Sequence, residues 1–127
     1  QVSFFSSNSS IREFLVNKQK TFGINKNIVV EGRDITTVVF PDAEIKVFMT
    51  ADIQVRAKRR FNEMKSKNPD ITYSDVIKNL EDRDIQDSTR KDSPLMVADD
   101  AFILDTSDLE INDQVDKIIN FISNKFS

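Results

Sequence analysis

Apolar residues along this chain follow two rhythms, stripes spaced by three or four and short unbroken runs. The first stripe, Ile11, Phe14 and Leu15 with Gln19, predicts a helix ending near Gly23. Ser10 and Glu13 have the spacing of a capping box at its start. Ile53, Val55, Ala57, Phe61 and Met64 predict a second helix from Asp52 to about Lys67, stopped by Asn68-Pro69-Asp70. Thr72 to Asp75 caps a third over residues 73–91, which carries Val76, Ile77 and Leu80. A last amphipathic helix has Val115, Ile118, Ile119 and Ile122 on one stripe.

The unbroken runs lie at 27–31 (NIVVE), 44–51 (EIKVFMTA) and 101–105 (AFILD). Runs of this kind are what strands covered on both faces look like in a parallel sheet. The order helix–strand–strand–helix–helix–strand–helix therefore predicts an α/β fold with a parallel sheet. Three strands make a thin sheet, so the fold reads as part of a larger one. Residues 1–9 are Ser-rich and read as a connector whose two Phe can still pack, and no internal repeat is visible.

Composition narrows the chemistry. The 127 residues suit one domain, with no second one, and the 39% apolar content with ten Phe supplies a core. Without His or Cys, chemistry that needs an imidazole base, a thiol nucleophile, a disulfide or a His/Cys zinc site is excluded. What remains is carboxylates, guanidinium and ammonium groups, hydroxyls and a bound metal ion. A net charge of −3 offers no global field for DNA, and no apolar run approaches the ~20 residues of a membrane helix. Thiol-free usage fits the cytoplasm.

Three constellations could carry that chemistry. Glu31-Gly32-Arg33-Asp34 follows a predicted strand directly, where open α/β sheets bind ligands. There Glu31 could hold Mg²⁺ directly or through water, Gly32 would let the backbone turn sharply, and Arg33 offers a planar fork for phosphate. A polar turn with a weak Arg–Asp pair fits the same residues. Arg83, Asp87 and Arg90 fall within ~60° on one helix face, as an anion-holding stripe or as a solvated face with i,i+4 pairs. Arg56, Lys58, Arg59, Arg60, Lys65 and Lys67 form a local cationic stretch opposed only by Glu63, facing an anion or solvent. No G-x-x-x-x-G-K-[ST] occurs in these residues, so they hold no P-loop of their own.

Together these motifs closely resemble one family. The run from Val30 to Lys46, with Gly32-Arg33-Asp34-Ile35 at its centre, is similar to the GRDIGT-type signature of bacterial cytidylate kinases. Arg56-Ala57-Lys58-Arg59-Arg60 resembles that family's RAxRR helix, and Arg83-Asp84-x-x-Asp87-x-x-Arg90 its RDxxDxxR segment. Ser93-Pro94-Leu95, Leu104-Asp105-Thr106 and Ile11-Arg12-Glu13 with Gln19 match the neighbouring segments in order. The resemblance covers almost all of the chain.

The resemblance implies the C-terminal portion of a P-loop nucleoside monophosphate kinase, a three-layer parallel-sheet fold. Such an enzyme moves the γ-phosphoryl group of ATP, with Mg²⁺, to CMP or dCMP. Carried over by motif, Arg12, Asp34 and Arg90 resemble the residues that read cytosine, and Arg33 and Arg83 those that clamp the acceptor phosphate. Asp87 and Ser3 resemble sugar contacts. Glu31 stands where a carboxylate helps hold Mg²⁺ through water. Residues 56–72 resemble a hinged lid whose Arg59 and Arg60 close over ATP phosphates. UMP or AMP as acceptor is the near alternative, and a non-catalytic nucleotide- or RNA-binding module the distant one.

Two departures from the family pattern generate expectations. Thr36 replaces a Gly, which is costly if the turn there needs φ > 0. The P-loop strand, which in this fold lies between the strand ending at Glu31 and the strand at 44–51, does not occur in these residues. The 127 residues are therefore expected not to fold natively alone, with an N-terminal segment or a complementing chain completing the sheet. A cooperatively melting monomer of these residues would refute this.

Overall fold

The computed structural model describes residues 8–127, so the expectations for Ser3 and most of the Ser-rich connector lie outside the described residues. Contacts group the chain into two compact units. One takes the residues up to Glu44 together with Asp87–Asp99, and the other Ile45–Gln86 with Asp100–Ser127.

The first unit contains helix α1, Ser9–Phe22. It starts two residues earlier than the Ser10 capping box predicts. The Asn8 side chain accepts from the Ser10 and Ile11 amides at 3.1 and 3.2 Å, and Asn is among the strongest N-cap residues. The predicted stripe is only partly right, because Ile11 and Gln19 are half-buried while Phe14 and Leu15 are exposed. Gly23 ends the helix in a right-handed conformation, so its small size rather than its flexibility matters. A Cβ there would lie 2.7 Å from the Phe40 ring.

Residues 27–31 form no strand, contrary to the sequence expectation. They have no regular secondary structure, and Val29 is fully exposed. A parallel strand exists only against a neighbour, and among the described residues none pairs with this run. The chain then enters a π-helical turn, Ile35–Val39, against which α1 packs. The amides of Val39 and Phe40 donate to the carbonyls five residues back, at 3.2 and 2.7 Å, and Ile35 and Val39 are buried. Thr36 lies inside this turn, and its φ is not positive, so the β-branched residue meets no left-handed penalty. Gly32 does not use positive φ either; a Cβ there would crowd the Ile35 side chain at 2.8 Å.

The second unit is built on a two-stranded parallel sheet, not a three-stranded one. Strand β1, Val47–Thr50, pairs with β2, Phe102–Asp105, in the register Val47↔Phe102 to Thr50↔Asp105. A parallel pair needs a long crossover, and helices α2 (Ile53–Met64) and α3 (Tyr73–Thr89) supply it. Ala51, Ala57, Val76 and Leu104 form the buried centre, with Ala57 at 0% exposure. At the sheet's start, buried Lys46 pairs with Asp100 at 2.9 Å and holds its carboxyl below the ordinary value.

The caps follow the sequence more closely here. Thr72 Oγ1 accepts from the Asp75 amide and the Asp75 carboxylate accepts from the Thr72 amide, the reciprocal box expected for α3. Helix α3 stops at Thr89, short of the expected 91. The last helix, α4 (Ile111–Phe126), starts with a Glu110–Asp113 box that the apolar pattern did not reveal. It docks through Phe121, stacked on Phe102 with centroids 4.5 Å apart, while Val115, Ile119 and Ile122 of its stripe remain exposed.

Arg56 ties α2 to α3. Its guanidinium makes a bidentate pair with Asp84, at 2.9 and 2.7 Å, and its Nε donates to the Ala51 carbonyl at 3.0 Å. The hydrogen bonds from Arg56 hold the Asp84 carboxyl below its ordinary 3.8, with the Arg83 charge adding to the effect. A carboxyl depressed in the fold stabilises above its unfolded pKa, and that contribution is lost as pH falls through the folded value. Asp84→Asn is therefore expected to be less stable than the parent protein at neutral pH. The pair is partly exposed, so the gap should be below about 1 kcal/mol. In melting experiments it should narrow below pH 3.8 and close once Asp84 is protonated in the fold; a gap that stays constant into acid would contradict the assignment.

Candidate functional site

Five of the sequence-selected residues come together within the first unit. Arg12 sits in the opening turns of α1, half-buried. Arg33 and Asp34 lie in the bend just before the π-helical turn, whose last two amides, Val38 and Val39, donate to the Asp34 carbonyl. Asp87 projects from the last turn of α3, and Arg90 follows the helix end.

Asp87 is the hub. Its Oδ2 accepts from Arg33 Nε at 2.6 Å, and its Oδ1 lies 3.9 Å from Arg90 Nη1. Its backbone carbonyl accepts from the Leu95 amide at 2.8 Å, which folds the segment after α3 back onto the helix end. Within that segment Arg90 Nε donates to the Ser93 carbonyl at 2.6 Å, and Ser93 has φ 50°. The Ser9 hydroxyl, at the start of α1, donates to the Asp92 carboxylate.

The charges around Arg90 are of both signs. Burial is the main influence lowering the pKa of Arg90, and the charges of Arg12 and Arg33 push it the same way. Asp87 and Asp34 oppose them. Three guanidinium groups and two carboxylates thus act on one another, a donor-rich set suited to an anionic ligand with its own hydrogen-bond acceptors. The one carboxylate in the bend, Asp34, offers an acceptor for a ligand N–H.

The remaining sequence candidates lie elsewhere or are otherwise engaged. Arg83, in the second unit, is exposed beside Asp84. Arg59 donates to the carbonyl and hydroxyl of buried Thr106, at 2.6 and 3.1 Å, and Arg60 pairs with Glu63 at 3.3 Å. An open cleft in this unit is lined by Lys58, Arg59, Asn62 and the 107–110 turn. Of the cationic stretch, Arg56, Arg59 and Arg60 are thus engaged within the protein.

Glu31 is exposed, next to Gly32. Among the described residues no group of three or more carboxylates gathers into a metal cage. A single exposed carboxylate does fit Mg²⁺ that takes most of its ligands from nucleotide phosphates and water, the usual pattern for this hard ion. No described helix is long and apolar enough to cross a membrane. The sequence reading matched Ser93-Pro94-Leu95 and Leu104-Asp105-Thr106 to the family pattern but gave neither the Ser93 carbonyl nor Thr106 a role.

Known proteins resemble this chain over most of its length. The family model for cytidylate kinase matches residues 1–124. The chain is 50% identical over 124 residues to the cytidylate kinase of Fusobacterium nucleatum subsp. nucleatum, covering 98% of this chain and 55% of that protein. It is 45% identical over 121 residues to that of Fervidobacterium nodosum, covering 95% and 55%. Against that of Flavobacterium johnsoniae it is 47% identical over 115 residues, covering 91% and 50%. The chain spans about half the length of the curated relatives it matches.

The Asp87 hub is open to a direct test. Asp87→Asn keeps the size and the backbone tie to Leu95 but removes the charge shared by Arg33 and Arg90. Stability is expected to change by less than about 1 kcal/mol, because Arg33 is nearly half exposed. The Arg33 Nε resonance should lose its hydrogen-bonded shift and gain mobility in side-chain NMR. An unmoved Arg33 signal would show that Asp87 does not hold it.

Proposed function

The chain belongs to the cytidylate kinase family, and on that premise we propose that it carries the acceptor-binding half of a phosphoryl transfer from ATP to CMP or dCMP (ATP + CMP → ADP + CDP). The observation that carries the proposal is the Asp87-centred cluster of Arg12, Arg33, Asp34 and Arg90, rich in guanidinium donors and fitted with a carboxylate acceptor.

Cytosine differs from uracil at C4, where an amine replaces a carbonyl. A carboxylate is the natural acceptor for that amine and repels the uracil oxygen, so Asp34 is assigned the amine. Arg12 and Arg90 supply the donors that the acceptor edge of the base requires. Arg33, tied to Asp87 through its Nε, is assigned the acceptor phosphate, and Arg83 is assigned the same phosphate by the motif it stands in. Asp87 and Ser3 are assigned the sugar. Arg59 and Arg60 are assigned the ATP phosphates, which requires Arg59 to leave Thr106.

Phosphoryl transfer needs positioning and charge neutralisation rather than a thiol or an imidazole, so a chain with neither is chemically sufficient for its share. Mg²⁺, bound with ATP and helped through water by Glu31, would supply neutralisation of charge on the transferred group. The backbone cradle for the ATP phosphates is not encoded in these 127 residues, which hold no P-loop motif. It is assigned to an N-terminal segment or to a complementing chain that also completes the sheet. The second reading is a module that binds the nucleotide without transferring phosphate.

The deciding experiment is a coupled ADP-release assay on the whole natural gene product, its intact mass measured beside it, with CMP, dCMP, UMP and AMP as acceptors. CMP is expected to exceed UMP in kcat/KM by about 10- to 100-fold, the discrimination of one well-placed bidentate contact. Asp34→Asn should lower the CMP/UMP ratio about ten-fold. Equal use of UMP would remove the base-reading assignment, and CMP binding without ADP release would leave the binding-module reading in its place.

A further inference from the structure

Two non-glycine residues have left-handed backbone among the described residues, Asn25 and Ser93. Asn25, at φ 55°, needs no special account: Asn adopts this conformation readily, and it follows the end of α1. Ser93, at φ 50°, is different. Serine has no comparable preference, and its successor Pro94 biases position 93 toward extended backbone. Such a residue persists only where its surroundings over-determine it.

Those surroundings are specific. On one side, the Leu95 amide is tied to the Asp87 carbonyl at 2.8 Å. On the other, the Ser93 carbonyl accepts from Arg90 Nε at 2.6 Å. The guanidinium is planar, so fixing Nε and its direction restricts the plane in which both Nη groups present their donors. Arg90 is mostly buried and sits among like charges, so a fixed acceptor on its inner edge also compensates part of the cost of holding it there.

We propose that the Ser93 carbonyl is a positioning group for Arg90, and that the left-handed Ser93-Pro94-Leu95 turn sets acceptor selectivity without touching the nucleotide. The proposal rests on the assignment of Arg90 to the base. It concerns the backbone at position 93 and not the hydroxyl, which separates it from an ordinary polar contact.

A substitution series at position 93 in the whole gene product tests it. Ser93→Gly and Ser93→Asn both accept φ near 50° and are expected to stay within about two-fold of the parent in every kinetic constant. Ser93→Val, β-branched and costly at positive φ, should raise KM for CMP about ten-fold and lower the CMP/UMP ratio. Its kcat should stay within about three-fold and its KM for ATP within about two-fold. Ser93→Thr, β-branched but with the hydroxyl retained, should move the same constants in the same direction and serves if the valine variant does not fold.

The Arg90 Nε–H signal gives a second readout independent of turnover. It should be protected from exchange in the parent and in Ser93→Gly, and lose protection in Ser93→Val or Ser93→Thr. A glycine variant as impaired as valine would overturn the proposal, as would KM values for CMP and ATP that rise together. If the parent itself turns over no CMP, the phosphoryl-transfer reading fails separately. An Arg90 signal unchanged across the series would then overturn the positioning role on its own.

Discussion

The first unit depends on one shared carboxylate. Asp87 stands at the end of a 17-residue helix, yet it holds Arg33, a residue 54 positions earlier, and lies near Arg90, three positions later. Each pair alone would be worth little where it is exposed. Their value is geometric. The helix end fixes the carboxylate, the carboxylate fixes Arg33, and the fold-back to Leu95 fixes the segment that carries Arg90's second acceptor. Neither cation could be held at this place by its own long side chain.

Much of the second unit was readable in the sequence because its signals are local. The runs at 44–51 and 101–105 became strands, trimmed at their ends, because each contains β-branched or aromatic residues and finds the other as a partner. Thr72 and Asp75 capped α3 as their spacing requires. Residues 27–31 have an equally strong local pattern and formed no strand. A ladder is a property of two segments, and local pattern cannot reveal whether the second is present. The exposure of Phe14, Leu15 and much of the α4 stripe has the same origin: periodicity states which residues share a face, not what covers it.

The candidate site was legible as motifs but not as mechanics. Arg12, Arg33, Asp34, Asp87 and Arg90 were selected from sequence, and the structure places them in one unit. The backbone around them was hidden. Nothing in the pattern from Ile35 to Val39 announces i→i−5 hydrogen bonding, and a helix-face projection treated Arg90 as helical although α3 ends before it. Thr36 shows the converse. Its departure from the family pattern looked costly on the premise of a left-handed turn, and the observed backbone removes that premise.

The π-helical turn makes the spacing of its residues a quantity with no tolerance. The Asp34 and Ile35 carbonyls reach amides five positions on, at Val39 and Phe40, so the turn holds one residue more than an α-helical turn would. Removing any single residue between Ile35 and Val39 would let the hydrogen bonds close at i→i−4. The chain before the deletion would then swing by about 100° relative to the chain after it. Arg33 would leave Asp87's reach, although neither residue had been altered. Single-residue length changes in this stretch, conservative to any comparison of side chains, should therefore be among the least tolerated in the chain.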